Sequence, residues 1–136
     1  MAFKEKSAWV ILLAYLVGSL TFTWSLLEGV SQGKSPSPVD FAGFTIALIV
    51  LLTVGHIIIA AVSPGTANTP EDEREKVFTL RAKALSGQFL ASGVVLGLLF
   101  FITTNNTAAL FYVVMYALIL SEIVNAGYQI LLHRRG

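Results

Sequence analysis

Cysteine is absent from the 136 residues, which removes disulfide frameworks, thiolate metal sites, iron–sulfur clusters and cysteine nucleophiles from the chemistry open to this chain. Charge is scarce as well: Asp, Glu, Lys and Arg together make up 12%, against about 25% in an ordinary soluble domain. A net charge of +1, with no basic patch interleaved with aromatic residues, gives no footing for a nucleic-acid partner. Catalytic signatures are missing too, for there is no G-x-S-x-G, no H-E-x-x-H, no Walker loop and no dinucleotide fingerprint. With two histidines in all and one carboxylate well inside an apolar run, neither an enzyme nor a bound cofactor or metal is expected.

What the chain does have is apolar residues, 55% of the total, gathered into long runs that short charged clusters separate. Four runs stand out, over about residues 8–27, 41–62, 85–103 and 108–132. Each approaches the roughly 20 residues that a helix needs to cross a bilayer. The sequence therefore predicts one all-α domain, an integral membrane four-helix bundle that has the lipid bilayer as its first partner. Lys4 and Lys6 precede the first run in the manner of a signal peptide. That run is longer than a signal core and ends in Glu28, Gly29 and Val30 rather than a small-residue cleavage pattern, so it is expected to be a retained span.

The links carry the punctuation. Residues 29–40 hold Gly29, Gly33, Pro36 and Pro38 and read as an irregular loop. Thr104, Asn105, Asn106 and Thr107 form a short uncharged turn that makes the third and fourth helices antiparallel neighbours. Asn105 to Thr107 also match the glycosylation triplet, but next to the membrane they are expected to serve as the turn alone. Between the second and third runs, Ser63, Pro64 and Gly65 end one helix. Thr69 as N-cap, Pro70 at the first helical position and Asp72 as the capping-box carboxylate begin another. A single helix from about Pro70 to Thr103 follows, with residues 70–84 projecting from the membrane. Val77, Leu80 and Ala84 line one side of the projection, and Asp72–Lys76, Glu71–Arg74 and Glu73–Lys76 are spaced to pair. A solvated charged face and a docking surface for a partner are both open readings of it.

Basic residues set the expected orientation. Both ends and the second link hold Lys4, Lys6, Arg74, Lys76, Arg81, Lys83, Arg134 and Arg135, whereas the other side holds Lys34 alone. Under the positive-inside rule both termini are cytoplasmic, and so unequal a count argues against dual-topology insertion. Trp9 and Trp24 fall near the two ends of the first span, as aromatic-belt residues do.

Two ionisable residues lie inside spans, His56 in the second and Glu122 in the fourth. Counted along the helix rise, His56 lies roughly 10 Å and Glu122 roughly 16 Å below the cytoplasmic boundary, so they meet if their helices are neighbours. At 100° per residue, Ser121, Glu122, Asn125, Tyr128 and Gln129 share an arc of about 120°, opposite Ile119, Leu120, Ile123, Val124, Ile130 and Leu131. On the second helix Thr45, Thr53, His56, Ala60 and Ser63 share a mildly polar face. The candidate intramembrane polar site is thus His56, Glu122, Asn125 and Gln129. Three readings compete for it: hydrogen bonds that fix helix register, a proton- or cation-handling site, and haem or metal ligation through His56 and His133. Register fixing is the leading one. For helix packing, Gly87, Gly93 and Gly97 with Ser86, Ala91 and Ser92 make the third helix rich in small residues. Gly93 and Gly97 form a G-x-x-x-G pair, expected to pack within the chain.

Lys4-Glu5-Lys6 with Trp9, Gly55-His56-Ile57, Ser63-Pro64, Asp72-Glu73-Arg74 and the ending Arg134-Arg135-Gly136, taken in that order, resemble a family of small four-span bacterial membrane proteins known mainly as a domain of unknown function. Members carry a longer acidic and basic run after Asp-Glu-Arg, which this chain shortens to Glu75-Lys76. The resemblance implies the bacterial inner membrane and four helices, and brings no activity or ligand. The expected function is association, as a homo-oligomer or as an accessory of a larger membrane complex. The alternative is a small oligomeric transporter or channel for protons or cations that uses Glu122 and His56.

Overall fold

In lipid a backbone satisfies itself by intrahelical hydrogen bonds, and the computed structural model of the chain is built accordingly. It describes residues 3–62 and 72–135. Four helices account for nearly all of these: α1 (Phe3–Ser31), α2 (Pro38–Val62), α3 (Glu73–Thr104) and α4 (Thr107–Arg135). No strand occurs among the described residues, and each of the four helices is long and apolar enough to cross a membrane. The chain is a multipass, all-α membrane protein.

Each helix outruns its apolar stretch. At a rise of about 1.5 Å per residue, the 32 residues of α3 extend about 48 Å and the 29 residues of α4 about 43 Å, against a hydrocarbon core of about 30 Å. The overhang expected of α3 alone is shared, because α1 starts at Phe3 and α4 runs on to Arg135 beside it. Phe78 near the start of α3 meets the His133 ring edge-on at 5.4 Å. Starts of α1 and α3 therefore lie with the ends of α2 and α4, as an up-down-up-down path requires. We call this the terminal end and the opposite one the loop end.

The links differ from expectation in detail. Only residues 32–37 lie between α1 and α2. Gly33, at φ +65°, closes α1 in a Schellman arrangement: the Lys34 N–H donates to the Gly29 carbonyl at 2.9 Å and the Gly33 N–H to Val30 at 3.1 Å. Ser37 then caps α2. Its hydroxyl donates to Asp40 Oδ2 at 2.7 Å, the Asp40 N–H returns to Ser37 Oγ at 3.2 Å, and Pro38 takes the first helical position. Ser37→Ala is accordingly expected to lower stability by about 1 kcal/mol. Comparing its detergent melting curve with that of Ser35→Ala checks this, since Ser35 has no part in the cap and should leave the curve in place.

Thr69 and Pro70, expected to start α3, lie outside the described residues. The described helix begins at Glu73, and Asp72 is its extended N-cap rather than an inner carboxylate (φ −67°, ψ 151°). Glu73 and Lys76 form one expected pair at 3.8 Å; both are solvent-exposed, so it contributes little. Asp72 meets Lys76 through its backbone carbonyl, which accepts the Lys76 N–H at 3.1 Å. Glu71 is not described. Between α3 and α4 the turn narrows to two residues. Asn105 adopts the left-handed conformation (φ 55°) that asparagine tolerates, and Asn106 caps α4 by accepting the Ala109 N–H at 3.0 Å.

Packing runs in the order α3, α4, α1, α2, with each helix against its neighbours in that row. At the centre Phe22 of α1 joins Met115 and Ile119 of α4, ringed by Phe44, Tyr112 and Tyr116. The helix faces sort accordingly. Ile119 and Ile130, placed on the apolar face of α4, are buried at 2% and 7% exposure, because α4 has protein on two sides and only a strip including Leu120 and Leu131 faces outward. Gly93 and Gly97 lie in the α3–α4 seam, against Ala117 and against Val113 and Leu110, and the buried Ala82 and Ser86 continue the line toward the terminal end. Gly87 is outside it, with nothing within 4 Å of where its Cβ would stand, and Ala91 and Ser92 also face outward. The α1–α2 seam has small residues of its own that the sequence reading missed: Gly18 beneath Leu48 and Phe44, and Gly55 beneath Val10.

Candidate functional site

The polar residues inside the spans divide into three groups. On α4, the Gln129 side-chain amide donates to Asn125 Oδ1 at 3.0 Å, and the Asn125 amide donates to Glu122 Oε2 at 3.3 Å. Spacings of four and three residues make this ladder a property of a single helix face. Each amide points its hydrogens toward Glu122, so the ladder ends on the carboxylate as acceptor. Tyr15 of α1 is near enough to interact electrostatically with Glu122. All three ladder residues are half-buried, facing the neighbouring helices rather than the outer strip.

His56 belongs to a different contact. Its Nδ1 lies 2.7 Å from the Leu52 carbonyl, which can only accept, so Nδ1 carries a hydrogen. In the neutral ring Nε2 then accepts from the Ser7 hydroxyl, 2.8 Å away on α1. Both nitrogens are thereby used, and the pairing with Glu122 is not formed: α2 packs on α1, whereas Glu122 looks to α1 and to its own helix. Of the expected site, Glu122, Asn125 and Gln129 come together and His56 stands apart. The rest of the polar α2 face is not a joint site either. Thr45 donates to the Phe41 carbonyl at 2.8 Å, Thr53 is exposed, and Ser63 lies outside the described residues. His133 is used in the contact with Phe78, and no cluster of three or more His, Asp or Glu suited to a metal occurs among the described residues.

The third group joins α1 to α4 and was not anticipated. Thr23 donates to the Ser19 carbonyl at 2.7 Å, which uses its one hydrogen, so Tyr116 donates its phenol to Thr23 Oγ1 at 2.7 Å. Threonine and tyrosine within apolar runs were the only signal, and it is a weak one.

At the terminal end, the Arg134 guanidinium connects α4 to the start of α1. Its Nε stands 3.7 Å from Glu5 Oε1, and its carbon lies 5.5 Å from the centre of the Trp9 ring. Glu5 is 9% exposed, so the contact holds a largely buried carboxylate, and Trp9 serves the helix junction. The Trp9 indole N–H is buried with no acceptor among the described residues.

Compared with known proteins, the chain matches no family model, no curated protein and no solved structure.

Proposed function

We propose that this chain is a non-enzymatic multipass protein of the bacterial inner membrane, with both ends in the cytoplasm, that acts by association with itself or with a larger membrane complex. One observation carries the reading: on the α3 overhang Leu80 is 67% and Val77 42% exposed, among the charged side chains of Glu73, Lys76, Arg81 and Lys83, which favour aqueous surroundings. An exposed leucine among lipid-facing residues needs no explanation, but in water it marks a face for a partner. The intramembrane polar groups supply no competing activity of equal weight, because Ser7–His56 and Tyr116–Thr23 both tie helices together. The count of basic residues supports the orientation, and the resemblance in the Lys4-to-Trp9, Gly55-His56-Ile57 and Arg134-Arg135 segments supports the bacterial inner membrane.

The test is crosslinking in native membranes followed by purification, for the parent and for Leu80→Glu. Adducts that form in the parent and are lost in the variant, with the melting curve unchanged, are the expected result. A parent recovered alone at monomer size contradicts the reading.

A second reading, transport of protons or cations, has one observation in its favour: the amide ladder that converges on Glu122. It predicts ion flux in proteoliposomes that Glu122→Gln abolishes. The association reading predicts no flux from either protein.

A further inference from the structure

At the loop end the α1–α2 link borders a cavity of about 470 Å³ between α1, α2 and α4, within the ~300–1,000 Å³ range of small-ligand sites. Its floor is aromatic: Phe22, Phe111 and Tyr112, with the last two rings packed at 5.5 Å. Its rim carries charges of both signs, Glu28 and Asp40 as carboxylates and Lys34 as the ammonium. Glu28 and Lys34 make no ion pair, with each other or with any described residue, and Asp40 uses only Oδ2 in the α2 cap. A second, more apolar cavity of about 390 Å³ adjoins the first across Ser35–Ser37 and Phe111, and is lined by Pro36, Pro38, Phe41 and Ala108.

The depth of this site narrows its occupant. Trp24, one turn before Glu28 on α1, is 74% exposed, which suits an indole at the headgroup layer. The cavity mouth is thus at the level where lipid headgroups stand. Two carboxylates over aromatic faces favour an ammonium group, and the lone lysine beside the exposed Ser35 and Gln32 favours a phosphate. An ammonium and a phosphodiester joined by a short linker, with an apolar tail leading into a side groove, describe one class of molecule.

We propose that the loop-end cavity binds the headgroup of a zwitterionic, ethanolamine-type phospholipid. Its ammonium lies against Glu28 and Asp40, its phosphodiester against Lys34, and the start of its acyl chains in the groove beside Phe41 and Phe111. The same polar chemistry is found in free phosphoethanolamine, and the site commits to the lipid because the adjoining groove is apolar.

The test uses the full chain purified in a maltoside detergent, with native mass spectrometry reading one-to-one adducts. The probes are dihexanoyl phosphatidylethanolamine, dihexanoyl phosphatidylglycerol and free phosphoethanolamine. The ethanolamine lipid is expected to bind tighter than the glycerol lipid, whose uncompensated phosphate meets two carboxylates. Glu28→Gln and Lys34→Gln should each weaken it by roughly three- to fivefold, the scale of a solvent-screened ion pair. Both side chains are exposed and unpaired, so folding should persist, and melting curves confirm it. Equal binding of the two lipids with no effect of either substitution means annular lipid only and overturns the proposal. Free phosphoethanolamine that binds as tightly as the lipid overturns the lipid as occupant.

Discussion

Gly93→Leu is expected to separate α3 from α4 and to lower stability by about 3 kcal/mol, the upper range for overpacking a close seam. A Cβ at Gly93 would collide with the Cβ of Ala117 and approach its Cα at 3.4 Å. Neither atom can swing away as the end of a long side chain can, so the relief has to come from the helices. The helices are also tethered through the two-residue turn at Asn105 and Asn106, which limits how far they can part at the loop end. Gly87→Leu is the control. It opens outward with nothing within 4 Å, so the same side chain should be accommodated there without loss. Reversible unfolding of both variants in mixed detergent micelles measures the difference. Equal losses at the two glycines would mean that the α3–α4 seam is placed on the wrong face.

The second large effect is expected at Phe22, which is 6% exposed and stands among Phe44, Tyr112 and Tyr116 at ring separations of 5.2, 6.2 and 5.5 Å. In water much of the loss from Phe→Ala is transfer of apolar surface. In a bilayer that part nearly vanishes, since a phenyl ring released from the bundle enters lipid. What remains is the cavity and the lost dispersion and edge-to-face contacts, so Phe22→Ala should lower stability by about 2–3 kcal/mol and Phe22→Leu by less. Leu20→Ala, on the outward face of the same helix, should change little. The same unfolding measurement applies, and a loss at Leu20 equal to that at Phe22 would contradict a packed α1–α2–α4 core.

The sequence announces these four helices plainly because crossing lipid demands some twenty apolar residues in a row and admits few charges. It announces less about which helices touch. Depth along an axis can be counted, so His56 and Glu122 look like a pair, yet neighbourhood in the bundle comes from interhelical packing that no single helix encodes. Small residues show the same limit. Gly87 precedes Gly93 by six positions, a turn of about 240° on the helical wheel, so it never shared the face of the G-x-x-x-G pair. The wheel of α4 assigns Glu122, Asn125 and Gln129 to one face correctly, and the structure adds the hydrogen bonds between them. Ile119 and Ile130 of its apolar arc are buried, because a helix flanked by two others has a lipid-facing strip narrower than that arc. Ser37-Pro38-Val39-Asp40 has the same cap, proline and carboxylate order as Thr69-Pro70-Glu71-Asp72, so the start of α2 is legible in the sequence even among the glycines and prolines around it.

The absence of cysteine makes the central claim directly testable, since any introduced thiol is the only one in the chain. Single cysteines at Ser35, Lys83 and Leu98 would report the loop end, the base of the α3 overhang and the apolar run of α3. Each would be treated in intact cells with a membrane-impermeant maleimide. The account predicts labelling of Ser35→Cys from outside, of Lys83→Cys after the membrane is opened, and of Leu98→Cys in neither state. Labelling of Leu98→Cys by the impermeant reagent, or of Lys83→Cys in intact cells, would contradict it.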